Sequence, residues 1–352
     1  MAKKAGVSIT TASFVLNGRT EEMRIAPNTA QKVMQVVQEL GYIPNVSAKK
    51  LTNGSGETFV PEIAVMWAPK VGSAFLELLV RNTMDLVERG QAMEMRLTVS
   101  PFRISQLETT GADILSRSYN GAIASPYFEE EYQYIQRIAA KIPIVVLHRP
   151  TELCPSVAVD NYDCGALAAR VFAMRGHRRV AILCADRVGT DIRQTDHRLT
   201  GFRDVCQEKG MECQAMFNPY RERKALTTAE LSAFGRQMAL DYLSRDALPD
   251  AIFIQSDVIA AGFLNSLQVE GVRVPEDIEI ITYGDDRVAA ACYPGITTVD
   301  YPSEAIARHA IQMMSDMLLN PFSRPASVSV KTRVTFRRSC PMPEGWIDEP
   351  VG

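Results

Sequence analysis

The chain has 352 residues, 46% of them hydrophobic, and a formal net charge of −3, which is long enough for two or three folding units with real cores. The charge is uneven: through residue 52, seven basic side chains (Lys3, Lys4, Arg19, Arg24, Lys32, Lys49, Lys50) stand against three acidic ones (Glu21, Glu22, Glu39), a net +4 that leaves −7 for the remainder. A basic end on an acidic body points to a small nucleic-acid-binding module, while the absence of a bilayer-length apolar run, of CxxC spacing and of clustered histidines argues against a membrane segment, a disulfide framework or a zinc site.

The first predicted elements lie in residues 2–17, AKKAGVSITTASFVLN. Ala2 and Ala5 give a short first helix a thin side, Gly6 suits a tight turn, Val7 supplies an apolar plug, and Ser8 caps a second helix. Ala12, Val15 and Leu16 recur on one face of that helix, leaving Ile9, Thr10, Ser13, Phe14 and Asn17 on the other. A short outer face near a helix start is the geometry with which a recognition helix meets base edges in the major groove. Pro27 opens a third helix, Val33, Val36, Val37 and Leu40 form its stripe, and Gly41 ends it. Asn45 can cap a short helix over 46–51 before the loose Thr52-Asn53-Gly54-Ser55-Gly56, a segment too short to be helical without a partner.

From Pro61 onward, apolar strands alternate with amphipathic helices. Strands are expected at 62–67, 93–99, 121–124 and 142–147, with a helix over 73–89 ending at Gly90; around 157–161 the chain crosses into a second unit with strands at 180–184, 212–217, 251–255 and 278–283. Repeated βαβ units imply doubly wound parallel sheets covered on both faces.

The run AGVSITTASFVLNG, the later GYIPN and further motifs in order resemble the LacI/GalR family of bacterial transcription regulators. Those further motifs are Arg175-Gly176-His177-Arg178-Arg179, Arg198-Leu199-Thr200-Gly201-Phe202, the acidic helix start at Ser256-Asp257, and the threonine pair Thr297-Thr298. The resemblance implies a headpiece (1–45), a hinge and linker (46–60), and a periplasmic-binding-protein-like clamshell core (61–340). Its first lobe is expected at about 61–160 plus 301–324, its second at about 161–300 plus 325–340, and a tail at 341–352. It implies a cytoplasmic homodimer on a near-palindromic double-stranded operator, most simply a repressor, controlled by a small-molecule effector, with a sugar or sugar derivative favoured. No membrane, cofactor, metal or catalytic role is expected, since neither a nucleophile elbow nor a phosphate-cradling glycine loop is present. A transport solute-binding protein of the same clamshell is the rival reading, opposed by the basic headpiece and the lack of a signal peptide.

By resemblance, Ile9, Thr10 and Phe14 would read bases. Ser8, Thr11, Ser13, Asn17, Lys3, Lys4, Lys32 and Lys49 would contact the backbone, with Arg19, Arg24 and Lys50 as further phosphate candidates. Leu51 would be the minor-groove lever that kinks the duplex. Family members usually begin several residues earlier, so the true start is expected upstream of Met1, or else the headpiece is unusually weak. Ala26 stands where a capping serine is usual, and Phe14 where an arginine is usual. Effector ligands should sit beyond the carboxyl ends of the strands, where the lobes face each other. Phe75, Ser125, His148, Asp160, Arg198, Ser256, Asp285 and Tyr301 are the candidates, with Arg198 foremost because a guanidinium can fork onto two hydroxyls or a carboxylate. Where the family has a ligand-binding acid this chain has Gly284, leaving Asp285, Asp286 or water to substitute.

Overall fold

The computed structural model describes residues 2–16, 20, 23–40, 60–67, 74–101, 119–126, 129–139, 141–149, 151, 154–184, 193–217, 227–245, 247–284, 286–320 and 326–347. The first three helices are α1 (Ala2–Ala5), α2 (Ile9–Leu16) and α3 (Pro27–Leu40). Gly6 takes φ +68° between α1 and α2, and the Ser8 hydroxyl caps α2 by accepting the Thr11 backbone N–H at 2.9 Å. Ala12, Val15 and Val33 are buried against Ala2, Ala5, Val7, Ile25 and Ala30. A small helical domain has few core side chains to draw on, so the Gly6 turn and the Ser8 cap matter proportionately more. The side chains of Leu16, Val37 and Leu40, expected in the same core, lie outside the described residues, as does the predicted hinge at 46–51.

The core follows as β1 (Glu62–Trp67), α4 (Ala74–Glu88), β2 (Arg96–Pro101), β3 (Gly121–Ala124), α5 (Glu129–Ala139), β4 (Ile144–Leu147) and β5 (Ser156–Val159). It continues with α6 (Asn161–Met174), β6 (Arg179–Cys184), α7 (Arg193–Glu208), β7 (Glu212–Phe217), α8 (Thr228–Leu243), β8 (Ala251–Ile254) and α9 (Asp257–Val269). The last elements are β9 (Glu279–Gly284), α10 (Asp286–Ala291), β10 (Thr297–Asp300), α11 (Ser303–Leu319), β11 (Val328–Val330) and β12 (Val334–Thr335). The strands form two six-stranded sheets, ordered β11-β5-β4-β3-β1-β2 and β12-β10-β9-β8-β6-β7. Among the described residues, all strand pairings are parallel except β12 with β10. Central strands such as Ile144–Leu147 and Ala251–Ile254 are buried at every position, which is why they read as unbroken apolar runs rather than alternating ones.

Three differences from the sequence reading have local causes. The strand expected at 93–99 begins at Arg96, because Met93 is tied instead to the Ser315 hydroxyl, which accepts its backbone N–H at 2.8 Å. The strand expected from 142 begins at Ile144, because the Ile142 N–H still bonds back to Ile138 at the end of α5. The assignment of 325–340 to the second lobe is corrected: Val328–Val330 pairs in parallel with Val157–Val159 in the first sheet, so the last crossing falls between β11 and β12.

Glycines set the helix spacing in the second lobe. A Cβ on Gly165 of α6 would lie 1.9 Å from the Arg198 carbonyl oxygen, and one on Gly201 of α7 would lie 2.0 Å from that of Tyr162. Gly235 of α8 and Gly262 of α9 make the same approach to Ile259 and Ser232, at 2.1 and 2.2 Å. At the opposite end of the sheet from the strand carboxyl ends, buried Glu279 is a hub. It accepts hydrogen bonds from Arg175 Nε at 3.0 Å and from the Cys340 thiol at 3.1 Å, and it pairs with His177 Nε2 at 2.8 Å. Burial alone would raise its pKa, but the bonds from His177, Arg175 and Cys340 prevail and bring it to about 2. The glycine-histidine-arginine motif thus anchors the closing segment of the lobe.

Candidate functional site

On α2, Ile9 is 82% exposed and Thr10 is exposed, so two of the three expected base readers present themselves to solvent. Phe14 is half-buried and in contact with its surroundings. Ser8 and Thr11 are occupied with each other, their hydroxyl oxygens 2.8 Å apart. Lys3, Lys4, Arg24 and Lys32 are exposed. The side chain of Ser13, together with Asn17, Arg19, Lys49, Lys50 and Leu51, lies outside the described residues.

At the carboxyl ends of the strands, a chain of aromatic and polar contacts runs from one lobe to the other. Phe75, in the first turn of α4, meets the His148 ring edge-on with centroids 5.6 Å apart. His148, just beyond β4, adopts φ +67°, a left-handed backbone that non-glycine residues seldom take. Its Nδ1 shares a hydrogen bond with the Tyr301 hydroxyl, which stands on the crossing after β10. Tyr301 in turn meets Tyr283 of β9 with centroids 6.1 Å apart. The Arg198 guanidinium lies over the Tyr283 ring, 4.3 Å from its centroid, within range of a cation–π attraction.

Arg198 is only 9% exposed, and its Nη1 makes a long hydrogen bond, 3.5 Å, to the Gln255 carbonyl oxygen. Among the described residues, its buried Nε has no partner, nor has either polar atom of the Gln255 side-chain amide. Buried donors and acceptors are ordinarily satisfied, and leaving each unmade costs about 1–3 kcal/mol. All three atoms belong to residues near the carboxyl ends of the second-lobe strands.

Of the remaining candidates, Ser125 is buried just after β3, and Ser256 caps α9 through the Ile259 N–H. Asp160 is exposed and caps α6, its carboxylate accepting the Asp163 N–H at 3.0 Å. Asp285 lies outside the described residues. Instead, Asp257 fills the space beside Gly284: a Cβ at 284 would lie 2.6 Å from the Asp257 carboxyl carbon. A side chain at 284 would therefore displace the Asp257 carboxylate. Tyr283 and Gln255 escaped the sequence reading, because a strand-end tyrosine and glutamine look like ordinary core and cap residues. Their position at strand carboxyl ends was the available signal.

Burial lowers the pKa of His148 from 6.5 to about 4 and raises that of Tyr301 well above the usual value, so both are neutral near pH 7. Between those two histidine values the unfolded chain binds a proton that the folded chain refuses. This contribution to stability is therefore complete above about pH 6.5 and is lost as the pH falls toward 4. Urea unfolding of wild type and His148→Gln from pH 7.5 to 4.5 tests this. The variant is expected to show a shallower fall in stability, and parallel curves would contradict the assignment.

Residues 1–45 match the model of bacterial regulatory proteins of the lacI family, and residues 169–340 match a periplasmic binding protein-like domain, together more than half of the chain. Among characterised relatives, the chain is 29% identical over 309 residues to the HTH-type transcriptional regulator DegA of Bacillus subtilis, covering 86% of this chain and 85% of that protein. It is 26% identical over 343 residues to the HTH-type transcriptional regulator GalR of Streptococcus thermophilus, covering 96% and 98%. Among solved structures, a transcriptional regulator CelR–cellobiose complex superposes with a TM-score of 0.65 at 23% identity, covering 96% of this chain and 98% of that one. A LacI family transcription regulator from Clostridium acetobutylicum gives 0.67 at 22% identity, covering 79% and 99%. With a helix-turn-helix headpiece in front of two parallel-sheet lobes, the chain belongs to the lacI family of bacterial transcription regulators.

Proposed function

We propose that this regulator is a cytoplasmic homodimeric repressor whose operator affinity is set by a sugar or sugar derivative bound between the lobes. The observation that carries the reading is the Arg198 and Gln255 edge, with buried polar atoms that no described residue satisfies, flanked by the Phe75, His148, Tyr301 and Tyr283 rings. Forked donors and amides suit hydroxyls, and apolar ring faces suit the C–H faces of a sugar. The CelR structure, in complex with cellobiose, is consistent with that ligand class. Dimerisation finds support on α4, where Val80 and Met84, one helical turn apart, are 50% and 60% exposed. A two-fold protein calls for a two-fold operator. The hinge at 46–51, with Leu51 as lever, would then fold between paired headpieces at the operator centre.

Selection of the full chain on a randomised duplex library is expected to return near-palindromic sites. Anisotropy on the selected duplex, with and without a panel of sugars, sugar acids, polyols and nucleosides, is expected to show a carbohydrate-dependent change in affinity. Sites without two-fold symmetry, or an affinity indifferent to every carbohydrate, would defeat the reading.

Phe14 carries a specificity prediction. A phenylalanine can pack on a thymine methyl but cannot make the paired bonds with which arginine reads guanine. Phe14→Arg is expected to introduce a guanine preference at one position of each half-site, worth about 1–3 kcal/mol. Selection profiles identical at every position would refute a base-facing Phe14.

A further inference from the structure

Several arginines of this fold hold carboxylates where water still reaches them. Arg175 pairs with Glu279, Arg170 with Asp163, Arg333 with Asp300 and Arg273 with Asp277, with 29%, 43%, 65% and 69% of the arginine side chain exposed. Arg198 reverses that pattern: the residue is 9% exposed, and among the described residues no carboxylate lies within ion-pair distance of it. A guanidinium keeps its charge wherever it is placed, and a buried charge is costly unless an opposite charge meets it. Arg198 meets neutral groups instead, the Tyr283 ring with its centroid at 4.3 Å and the Gln255 carbonyl oxygen at 3.5 Å. Burial pushes the Tyr283 hydroxyl well up, so that ring carries no charge near pH 7. Asp257, beside Gly284 at the same end of the sheet, accepts the Val258 N–H at 2.7 Å, and Asp160 accepts the Asp163 N–H at 3.0 Å.

We propose that the interlobe ligand is an anionic sugar, a pyranose carrying one carboxylate, which pairs with Arg198 while its hydroxyls meet the Gln255 amide. The inference rests on the proposed function and narrows its ligand class from sugars and their derivatives to uronic acids. A single planar fork matches the two oxygens and the one charge of a carboxylate. A phosphate group, with close to two charges at pH 7, would leave much of its charge unmatched by one arginine. The Gln255 side chain is 4% exposed, and both its amide nitrogen and its amide oxygen lack partners among the described residues. Vicinal hydroxyls, which donate as well as accept, satisfy both atoms at once. Arg198 and Gln255 belong to the second lobe, whereas the Phe75 and His148 rings, 5.6 Å apart at their centroids, belong to the first. The carboxylate end of the sugar therefore faces α7, and the C–H face of a closed pyranose ring suits the aromatic side. A neutral sugar in the same place would leave the buried guanidinium without its counter-charge, and a site is most selective against the analogue that leaves its polar groups unmatched.

The test is isothermal titration of the full-length chain with D-glucuronate, D-galacturonate and D-mannuronate, each compared with its own uronamide and its parent hexose. The amide keeps the shape of the acid and removes the charge. At least one uronate is expected to bind about tenfold or more tighter than its amide, since hydrogen bonds to a charged pair are the stronger ones. Arg198→Gln is expected to bring acid and amide to equal affinity. Arg198→Lys should retain a preference for the acid at reduced affinity, and Gln255→Ala should weaken acid and amide alike. The comparison of acid with amide in the wild-type chain needs no variant to fold. Equal binding of acid and amide there, or a preference for the acid that persists in Arg198→Gln, would overturn the proposal. A neutral hexose that binds and changes operator affinity while no uronate binds would overturn it and leave the proposed function standing. Binding of neither class would bring down both together.

Discussion

Gly201→Ala is expected to lower the free energy of unfolding by about 3 kcal/mol, the upper part of the range for overpacking. The added methyl would lie 2.0 Å from the Tyr162 carbonyl oxygen and 3.2 Å from the Ala166 nitrogen, both backbone atoms of α6. No side-chain rotation can relieve that contact, so α6 and α7 must move apart. Alanine's advantage over glycine inside a helix, about 1 kcal/mol, offsets only part of the cost. Gly165→Ala should behave alike, since its Cβ would meet the Arg198 carbonyl at 1.9 Å. The double variant should cost less than the sum, because helices already forced apart accept a second methyl more readily. Gly210→Ala is the contrasting control: it has φ +66° and nothing within 4 Å of its added Cβ, so its cost is backbone strain alone, about 1–2 kcal/mol. Urea midpoints of the four proteins separate crowding from strain. A loss at Gly201 no greater than at Gly210 would mean that α6 and α7 are not in backbone contact.

What could be read in the sequence divides along physical lines. Strands Glu62–Trp67, Gly121–Ala124 and Glu212–Phe217 fall where the apolar pattern placed them, because burial against both neighbouring strands and flanking helices demands local runs of a recognisable kind. Lobe membership of Val328–Val330 was illegible: a three-residue Val-Ser-Val strand has the same local pattern whichever sheet it joins. The Arg175–His177 motif could be recognised but not explained, since Glu279 is 104 residues from Arg175 and only the fold brings them together. The same reason hid the interlobe edge. Arg198 stood out because the Arg198–Phe202 run resembles a family motif and a guanidinium can fork onto two hydroxyls or a carboxylate. Tyr283 and Gln255 acquire meaning only beside it, and Asp257 only once Gly284 is seen to make room for its carboxylate.

Arg198→Ala is expected to weaken carbohydrate binding by about 100-fold or more. Hydrogen bonds to a charged group contribute about 1.5–3 kcal/mol each, so the loss of a forked pair exceeds two factors of ten. The substitution should leave the unliganded protein nearly as stable as wild type. Arg198 is 9% exposed with an Nε unpartnered among the described residues, so removing it abolishes a desolvation cost together with its stacking on Tyr283, and the two act in opposite directions. That asymmetry separates a ligand-binding arginine from a structural one. A ligand at one hundred times its dissociation constant adds about 2.7 kcal/mol of stability, and at that concentration the thermal shift given by the best carbohydrate of the panel should disappear in Arg198→Ala. Arg198→Lys, which keeps the charge without the planar fork, should fall between the two. If the unliganded midpoint drops sharply while the residual ligand shift is unchanged, Arg198 is a structural residue. Recognition would then rest with His148, Tyr301 and Gln255.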